Sequence, residues 1–255
     1  MGFIVALILV ACWRRGGALG WLVLIGGLML FLQIRGVADN VGFPVHTGDL
    51  SRLEQFLFLG ALPTQVLQRL FFVPGRFTAL DYAAVAVHWS YFFIPYIIVF
   101  AVWLRRPQAT MEPALLLALT FAVSLVIYVL LPGTPPWLAA AQPGAPQVYR
   151  ITCFVWNSVN PEAYARIYET IGDPNPIACL PSVHFAITFM LFLYSLGKGR
   201  LWSIIAGVYA AAMAFSLVYM GEHYVVDCLF GGLVAWAVWA GYHRLMGRRQ
   251  PVPVR

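Results

Sequence analysis

The sequence predicts an all-α integral membrane protein: a bundle of six transmembrane helices with short amphipathic interfacial helices and a long outer loop. Composition is the first reason, since the 255 residues are 61% hydrophobic and 10% charged, whereas soluble domains are about a quarter charged. Six apolar stretches approach the ~20 residues that a bilayer core requires. The basic clusters all fall on one membrane side when these stretches alternate. We treat residues 1–255 as one membrane domain.

The predicted spans are the six apolar stretches at 17–34, 82–104, 113–131, 183–196, 201–220 and 223–243. The fourth is short, so we expect it to be buried inside the bundle rather than exposed to lipid. Residues 1–12 are also apolar, but about 18 Å of helix is too short to cross a bilayer. They could be a signal-like stretch, a tilted extra helix or an extension of the first span, which completes an N-terminal segment at 1–35.

Orientation follows from the positions of the basic residues. Six alternating spans place the clusters at 14–15, 105–106, 198–200 and 244–255 on one side, which we expect to be the cytoplasm. We therefore expect a multi-pass plasma-membrane protein with a cytoplasmic C-terminus. Of the 16 basic residues only Lys198 is not Arg, a bias that we interpret as GC-rich, bacterial codon usage. The net charge of +6 includes no dense basic run outside the tail, so no nucleic-acid partner is predicted.

Two long segments face the outside in this topology. Residues 50–73 interleave Leu and Phe with charged and amide side chains around Pro63, which is typical of two short amphipathic helices in the interface. Residues 132–181 form a fifty-residue segment rich in Pro, Gly and Asn. An outer loop of this length suggests a function.

The first motif is Cys-Leu-Pro-Ser-Val-His at 179–184. Pro-Ser before an apolar run predicts a helix start with Ser182 as its N-cap. The free N–H groups at such a start can bind an anion, and His184 lies in the first turn. Taken alone, His184 is more often an ordinary interfacial histidine.

The second motif is Gly-Glu-His-Tyr-Val-Val-Asp at 221–227. On a helix, His223 and Asp227 are four residues apart and share a face. An ionisable residue inside a span is energetically costly and usually functional. Asp227 is expected to accept a hydrogen bond from one ring nitrogen of His223, which makes the other nitrogen a better nucleophile. The alternative is a buried pair that only ties helices together.

The two motifs together indicate phosphoryl transfer. The topology places His184 and His223 at the same depth, at the outer ends of their helices. One imidazole can attack phosphorus to form a phosphohistidine while the other protonates the departing oxygen. The sequence shows no ligand cluster for a metal, and no metal or other cofactor is predicted.

The spacing from Pro-Ser-Val-His at 181–184 to His223-x-x-x-Asp227 resembles the type 2 phosphatidic acid phosphatase superfamily. Within it, Glu-His-Tyr-x-x-Asp at 222–227, with the Pro-Pro-Trp turn at 135–137, is most similar to the branch of sphingomyelin synthase and fungal inositol-phosphorylceramide synthase. The resemblance covers about 50–239, with a catalytic core at 82–243. It implies that His223 is the nucleophile, Asp227 its orienting group and His184 the acid–base partner.

The sequence departs from the superfamily at the cations that bind phosphate. The superfamily has a Lys-x6-Arg-Pro motif and an Arg six residues before the nucleophile, where this chain has Ser124, Leu131 and Leu217. A substitute cation is therefore expected. Arg150 and Arg166 of the outer loop are the first candidates, ahead of the remaining outer arginines, which are Arg35, Arg52, Arg69 and Arg76.

Four further residues are expected to bind substrate: Ser182, His88, Glu222 and Tyr224. His88 in the second span has the alternative of a neutral histidine hydrogen-bonded within the bundle. Glu222 could position a substrate hydroxyl or face water. Tyr224 belongs to the motif of the transferase branch.

The cysteines predict one disulfide. Cys153 and Cys179 both lie in the outer loop, on the oxidising side, where such bonds persist. The alternative is two independent buried thiols. No pair has CxxC spacing, which argues against a metal or thioredoxin-like motif.

Three functions are compatible with these residues. The first is a membrane phosphotransferase that takes a lipid phosphate or phospholipid headgroup from the bilayer and passes it to a polar or lipid alcohol, as inositol-phosphorylceramide synthase does. The second is a lipid phosphatase that uses water, for example on phosphatidate or polyprenyl diphosphate. The third is an inactive relative serving as a lipid transporter or scaffold. Donor, acceptor and oligomeric state remain open.

Overall fold

The computed structural model describes residues 16–35, 43–162, 166 and 177–247. It is mostly helical, and these residues contain isolated β-bridges but no strand. A 3₁₀ turn at Pro107–Thr110 leads into the sixth helix. The helices are α1 (Ala18–Arg35), α2 (Asp49–Leu57), α3 (Pro63–Phe71), α4 (Ala79–Ser90), α5 (Ile94–Arg105), α6 (Met111–Leu130), α7 (Pro136–Ala139), α8 (Ile151–Val159), α9 (Val183–Ser195), α10 (Arg200–Tyr219) and α11 (Val225–Gly247).

Four helices in these ranges are long and apolar enough to cross a membrane: α1, Pro107–Leu130, α10 and Val225–Met246. They agree with the predicted spans at 17–34, 113–131, 201–220 and 223–243. One boundary differs in a way that matters. The predicted span 223–243 places His223 in the first turn of its helix. Because α11 begins at Val225, His223 instead lies in the turn before the helix.

The second predicted span, 82–104, is wrong as a single helix. It consists of α4 and α5, which meet at an angle of 50°. Pro95 is the second residue of α5, where it has no N–H to donate and its ring would clash with the carbonyl four residues earlier. The backbone from 91 to 93 instead makes tight i→i−3 hydrogen bonds. If the bent pair is one span, the described residues contain five candidate membrane spans. The apolar stretch 1–12 lies outside the described residues.

The short helix α9 packs against α6, α10 and α11. Its residues Ala186, Ile187 and Met190 are almost completely buried, which confirms the expected place of this helix inside the bundle. Thirteen residues give a helix of about 20 Å, shorter than the ~30 Å hydrocarbon core. The start of α9 can therefore lie below the membrane surface.

The predicted amphipathic segment at 50–73 forms α2 and α3. Three of its polar side chains face the protein, since Glu54 and Thr64 are fully buried and Gln68 nearly so, while Phe56 is 81% and Leu70 67% exposed. Gln68 donates from Nε2 to the carbonyls at 149 and 219. An apolar face turned outward is suited to the lipid interface.

The predicted outer loop, 132–181, contains α7 and α8 and is tied to the helix ends by backbone hydrogen bonds. Trp137 N donates to Gly221 O and Ile151 N to Met220 O, while Gly133 N donates to Ile177 O within the loop. The segment therefore packs onto the turn between α10 and α11.

Candidate active site

Three histidines meet beside the turn that precedes α11. The ring centroids of His184 and His223 are 5.7 Å apart, and those of His88 and His184 are 4.7 Å apart. His88 and His223 are buried and His184 is half-buried. The structure thus brings together both motifs and the histidine of α4.

The carboxylate of Asp227 lies beside one ring nitrogen of His223. Its Oδ2 lies 3.4 Å from His223 Nδ1 and accepts hydrogen bonds from Tyr224 N at 2.8 Å and from Cys179 Sγ at 2.9 Å. The carboxylate is fully buried. A proton on Nδ1 facing this carboxylate leaves Nε2 with a free lone pair, which is the tautomer that a nucleophile needs.

The starts of α9 and α11 are locked together. Ser182 Oγ accepts a hydrogen bond from Phe185 N at 3.4 Å, which confirms the predicted N-cap, and Ser182 N donates to Asp227 O at 3.0 Å. Gly231 allows this approach, because a Cβ there would lie 2.5 Å from Ser182 O. His184 is therefore positioned relative to Asp227 by backbone contacts.

The turn from α10 to α11 directs the second motif inward. Gly221 has a φ of +77°, and a Cβ there would lie 2.7 Å from Tyr149 O, so this position favours glycine on both counts. The amides of Glu222 and His223 both donate to Leu217 O. Leu217 itself is fully buried, so the position where the superfamily carries a cation belongs to the core.

Arg150 and Glu222 form an ion pair at the site. Arg150 Nε lies 3.0 Å from Glu222 Oε1, and its guanidinium carbon is 4.4 Å from the centroid of the Trp137 ring. Burial raises the pKa of Glu222, but the charges of Arg150 and then of His88 lower it by more than burial raises it. The pKa of Glu222 is therefore below its usual value. The Glu222 side chain is 10% exposed and is paired with Arg150.

The other predicted cation is not brought to the histidines. Arg166 lies at the surface, 72% exposed, in an ion pair with Glu162. Arg35 at the end of α1 is better placed, because its charge acts on His184, Tyr91 and Tyr128. Of the two arginines predicted first, only Arg150 lies at the site, and Arg35 is a second arginine whose charge acts there.

The predicted disulfide between Cys153 and Cys179 is wrong. Cys179 is a free, buried thiol that donates to the Asp227 carboxylate, and its sulfur lies 3.6 Å from His223 Nδ1. Burial and then the charge of Asp227 raise the pKa of Cys179 well above its usual value. The sulfur is used inside the site and does not pin the loop.

Two neighbours of the site were missed by the sequence analysis. Tyr91, at the break between α4 and α5, has its ring centroid 4.5 Å from that of His184. Glu54 of α2 accepts a hydrogen bond from Val226 N at 3.2 Å, where a negative charge suits a helix N-terminus. Neither has a local signal, since a Tyr in a span and a Glu in an amphipathic helix are both ordinary.

A cavity of about 500 Å³ lies beside the second motif. Tyr224, which is almost fully buried, forms part of its wall. Most of the remaining lining comes from α2 and the segment 136–146, including Ser51, Arg52, Gln55, Pro136 and Gln142.

Comparison with known proteins gives one result. The chain matches the family model described as the PAP2 superfamily over residues 48–243. This range begins just before α2 and includes the three histidines of the site, Asp227 and all of the cavity lining except Thr47. No curated protein and no solved structure gives a match.

Proposed function

Because the chain belongs to the PAP2 superfamily, whose members are generally phosphatases and phosphotransferases, we propose that it is a membrane phosphotransferase. It takes a phosphoryl group or phospho-headgroup from a lipid, holds it on a histidine and passes it to an alcohol. The observation that best supports this proposal is the placement of His223 between the Asp227 carboxylate and the ring of His184.

In the first step, Nε2 of His223 attacks phosphorus and the P–O bond to the lipid breaks. His184 gives its proton to the departing oxygen. Asp227, hydrogen-bonded to the opposite ring nitrogen, stabilises the charge that develops on the imidazole. In the second step, His184 removes the proton of the acceptor hydroxyl, whose oxygen attacks phosphorus and releases His223.

The phosphate needs positive charge that the usual superfamily positions do not supply. Arg150 is at the site, but its charge is shared with Glu222. Arg35 acts on His184 from the end of α1. We propose that these two arginines together stabilise the phosphate, with Glu222 holding Arg150 in position over Trp137.

The cavity beside Tyr224 offers a place for an alcohol acceptor, which supports transfer. A volume of about 500 Å³ is within the range of small-molecule sites and exceeds what a single water needs. The resemblance of 222–227 to inositol-phosphorylceramide synthase supports the same choice, with a polyol or lipid alcohol as acceptor. Hydrolysis of a lipid phosphate is the second candidate, which membership in the superfamily supports equally. An inactive scaffold is disfavoured by the ordered His–Asp geometry.

Headgroup exchange tests the proposal. Detergent-solubilised protein is supplied with phospholipid donors and with inositol, glycerol or a lipid alcohol, and products are followed by lipid mass spectrometry while released phosphate is measured. We expect the alcohol product to form faster than phosphate, and no product from the His223→Ala variant. Release of phosphate from several lipid phosphates at rates that no alcohol alters would instead identify a phosphatase.

A further inference from the structure

The buried thiol of Cys179 lies beside the nucleophile and has no role in the phosphoryl transfer proposed above. The thiol of Cys179, the imidazole of His223 and the carboxylate of Asp227 have ligand atoms within 4.8 Å of one another, and all three are buried. Thiolate, imidazole and carboxylate are the three ligand types of zinc sites. In the part of the chain that the structure describes, no other such trio of His, Cys and acidic residues occurs.

The spacing of the three atoms is close to that of a zinc site. With Zn–S of about 2.3 Å and Zn–N or Zn–O of about 2.0–2.2 Å, tetrahedral geometry separates the ligand atoms by about 3.4–3.6 Å. Nδ1 of His223 lies 3.4 Å from Asp227 Oδ2 and 3.6 Å from Cys179 Sγ. The third separation, Sγ to Oδ2, is 2.9 Å because the thiol donates a hydrogen bond. Loss of the thiol proton removes this bond and allows the two atoms to separate.

Asp227 retains a further acceptor for an ion. Its Oδ1 is buried and has no hydrogen-bond partner, although a buried carboxylate oxygen is costly to leave unsatisfied. An ion bound between Sγ and Nδ1 could take either oxygen of this carboxylate. Three protein ligands would leave one position of the metal open.

We propose that Cys179, His223 and Asp227 form a binding site for Zn²⁺, and that the bound ion inhibits the enzyme. Binding is independent of the proposed function, whereas inhibition rests on it. The metal here is an inhibitor and takes no part in turnover.

The proton balance explains the inhibition. Cys179 loses its proton to solvent, since a metal-bound thiol is deprotonated. The Nδ1 of His223 must offer its lone pair to the metal, so the ring releases its proton there, takes one at Nε2 and stays neutral. One proton is released in all. In this tautomer Nε2 has no free lone pair and cannot attack phosphorus.

Cobalt(II) binding tests the site without any assay of activity. Purified protein is titrated with Co²⁺, whose thiolate charge-transfer band and intense visible bands mark a four-coordinate site with sulfur. We expect these bands in the wild type and their loss on addition of Zn²⁺. Cys179→Ser should abolish the thiolate band, and Cys228→Ser, which removes another buried thiol outside the trio, should retain it. A wild type without the band, or a Cys179→Ser variant with it, overturns the proposal.

X-ray absorption at the zinc edge covers the case in which Cys179→Ser does not fold. The zinc-loaded wild type should show one sulfur at about 2.3 Å and nitrogen or oxygen ligands at about 2.0–2.2 Å; only nitrogen and oxygen ligands would contradict the site. In the exchange assay, each variant is compared with its own metal-free rate. Zn²⁺ should inhibit Cys179→Ser at concentrations about 100-fold higher than the wild type, because even outer partners of a metal site contribute 10–100-fold. Equal sensitivity would show that inhibition arises elsewhere.

Discussion

Asp227 accepts hydrogen bonds from a backbone amide and a thiol and faces the Nδ1 of His223. A buried charge is tolerated only when such partners replace its hydration. Tyr224 N and Cys179 Sγ donate to Oδ2 of Asp227, the same oxygen that faces His223. The carboxylate is therefore fixed before substrate binds. The residue that matters most for the reactivity of His223 is thus held by groups from both motifs.

His223→Ala should reduce transfer to below a few per cent of the wild-type rate, because the covalent step loses its nucleophile. The protein should still fold, since residue 223 lies in the turn before α11 and not within a helix. Product formation by mass spectrometry is the measurement, with elution volume and melting temperature as the folding control. Substantial remaining activity would rule out a phosphohistidine at this position.

Asp227→Asn should lower the rate by about 100- to 10,000-fold. The amide oxygen can still accept from Tyr224 N, but its NH₂ group would face Nδ1 of His223. Nδ1 would then carry the lone pair and Nε2 the proton, which is the wrong tautomer for attack. The rate constant of a single turnover measures this effect. A rate within threefold of the wild type would show that the carboxylate is only structural.

At the scale of elements, α9 and α11 cross closely at their starts. Gly231→Ala would place a methyl group 2.5 Å from Ser182 O, which forces the N-cap of α9 away and moves His184. Overpacking of this kind typically costs 1–3 kcal/mol, and we expect a rate reduced by about tenfold or more because the reacting groups are misplaced. Thermal unfolding and the transfer rate are the measurements.

Gly241→Ala is the matched control in the same helix. No atom outside the local backbone lies within 4 Å of a Cβ there, and Ala is the better helix former by about 1 kcal/mol. This variant should be as active as the wild type and at least as stable. Equal effects at the two glycines would contradict the role assigned to the close crossing.

Glu54 of helix α2 makes the stability of the fold depend on pH. Burial, and to a smaller extent the charge of Asp227, raises the pKa of Glu54 to about 7, against the lowering effect of the Val226 hydrogen bond. A raised folded-state pKa means that its contribution to stability is full below the unfolded value and is lost as the pH rises from about 4.5 to about 7. The loss is at most about 3 kcal/mol.

Glu54→Gln keeps an acceptor for Val226 N but cannot ionise. The wild-type melting temperature in detergent should therefore fall more steeply between pH 5 and 8, approximately, than that of Glu54→Gln. Superimposable pH profiles would show that Glu54 does not titrate in this range.

At the scale of the whole molecule, the three histidines of the site lie at one end of the bundle, and Lys198, which follows the end of α9, lies at the other. Lys198 and His243 both approach Glu112 at the start of α6, whereas the site lies beside the starts of α9 and α11. Since basic residues favour the cytoplasmic side, we propose that the site faces the outside and the C-terminus the cytoplasm.

Cysteine labelling of intact cells tests this orientation, in a parent chain with Cys12 and Cys153 replaced by Ser. A membrane-impermeant maleimide should label Gln142→Cys, which lies on the wall of the cavity, without permeabilisation. It should label Lys198→Cys only after permeabilisation. Immediate labelling of Lys198→Cys would invert the proposed topology.

The sequence by itself determined most helices and predicted the reacting groups of the proposed mechanism. Hydropathy and length are local properties, so the apolar helices at 17–34, 113–131, 183–196 and 201–220 follow from composition alone. The N-cap at Ser182 and the His223–Asp227 pair are also local, because each joins residues no more than four apart in the chain.

Only the tertiary structure decided the partners of buried polar groups. Arg150 meets Glu222 across 72 residues of chain and Glu54 meets Val226 across 172, and no local pattern encodes either contact. The same holds for Cys179, whose place in the outer loop with Cys153 suggests a disulfide but whose sulfur donates to a carboxylate 48 residues away. The physical reason is that a buried polar side chain takes whatever partner the packing of the helices places beside it. That packing is a property of the whole bundle.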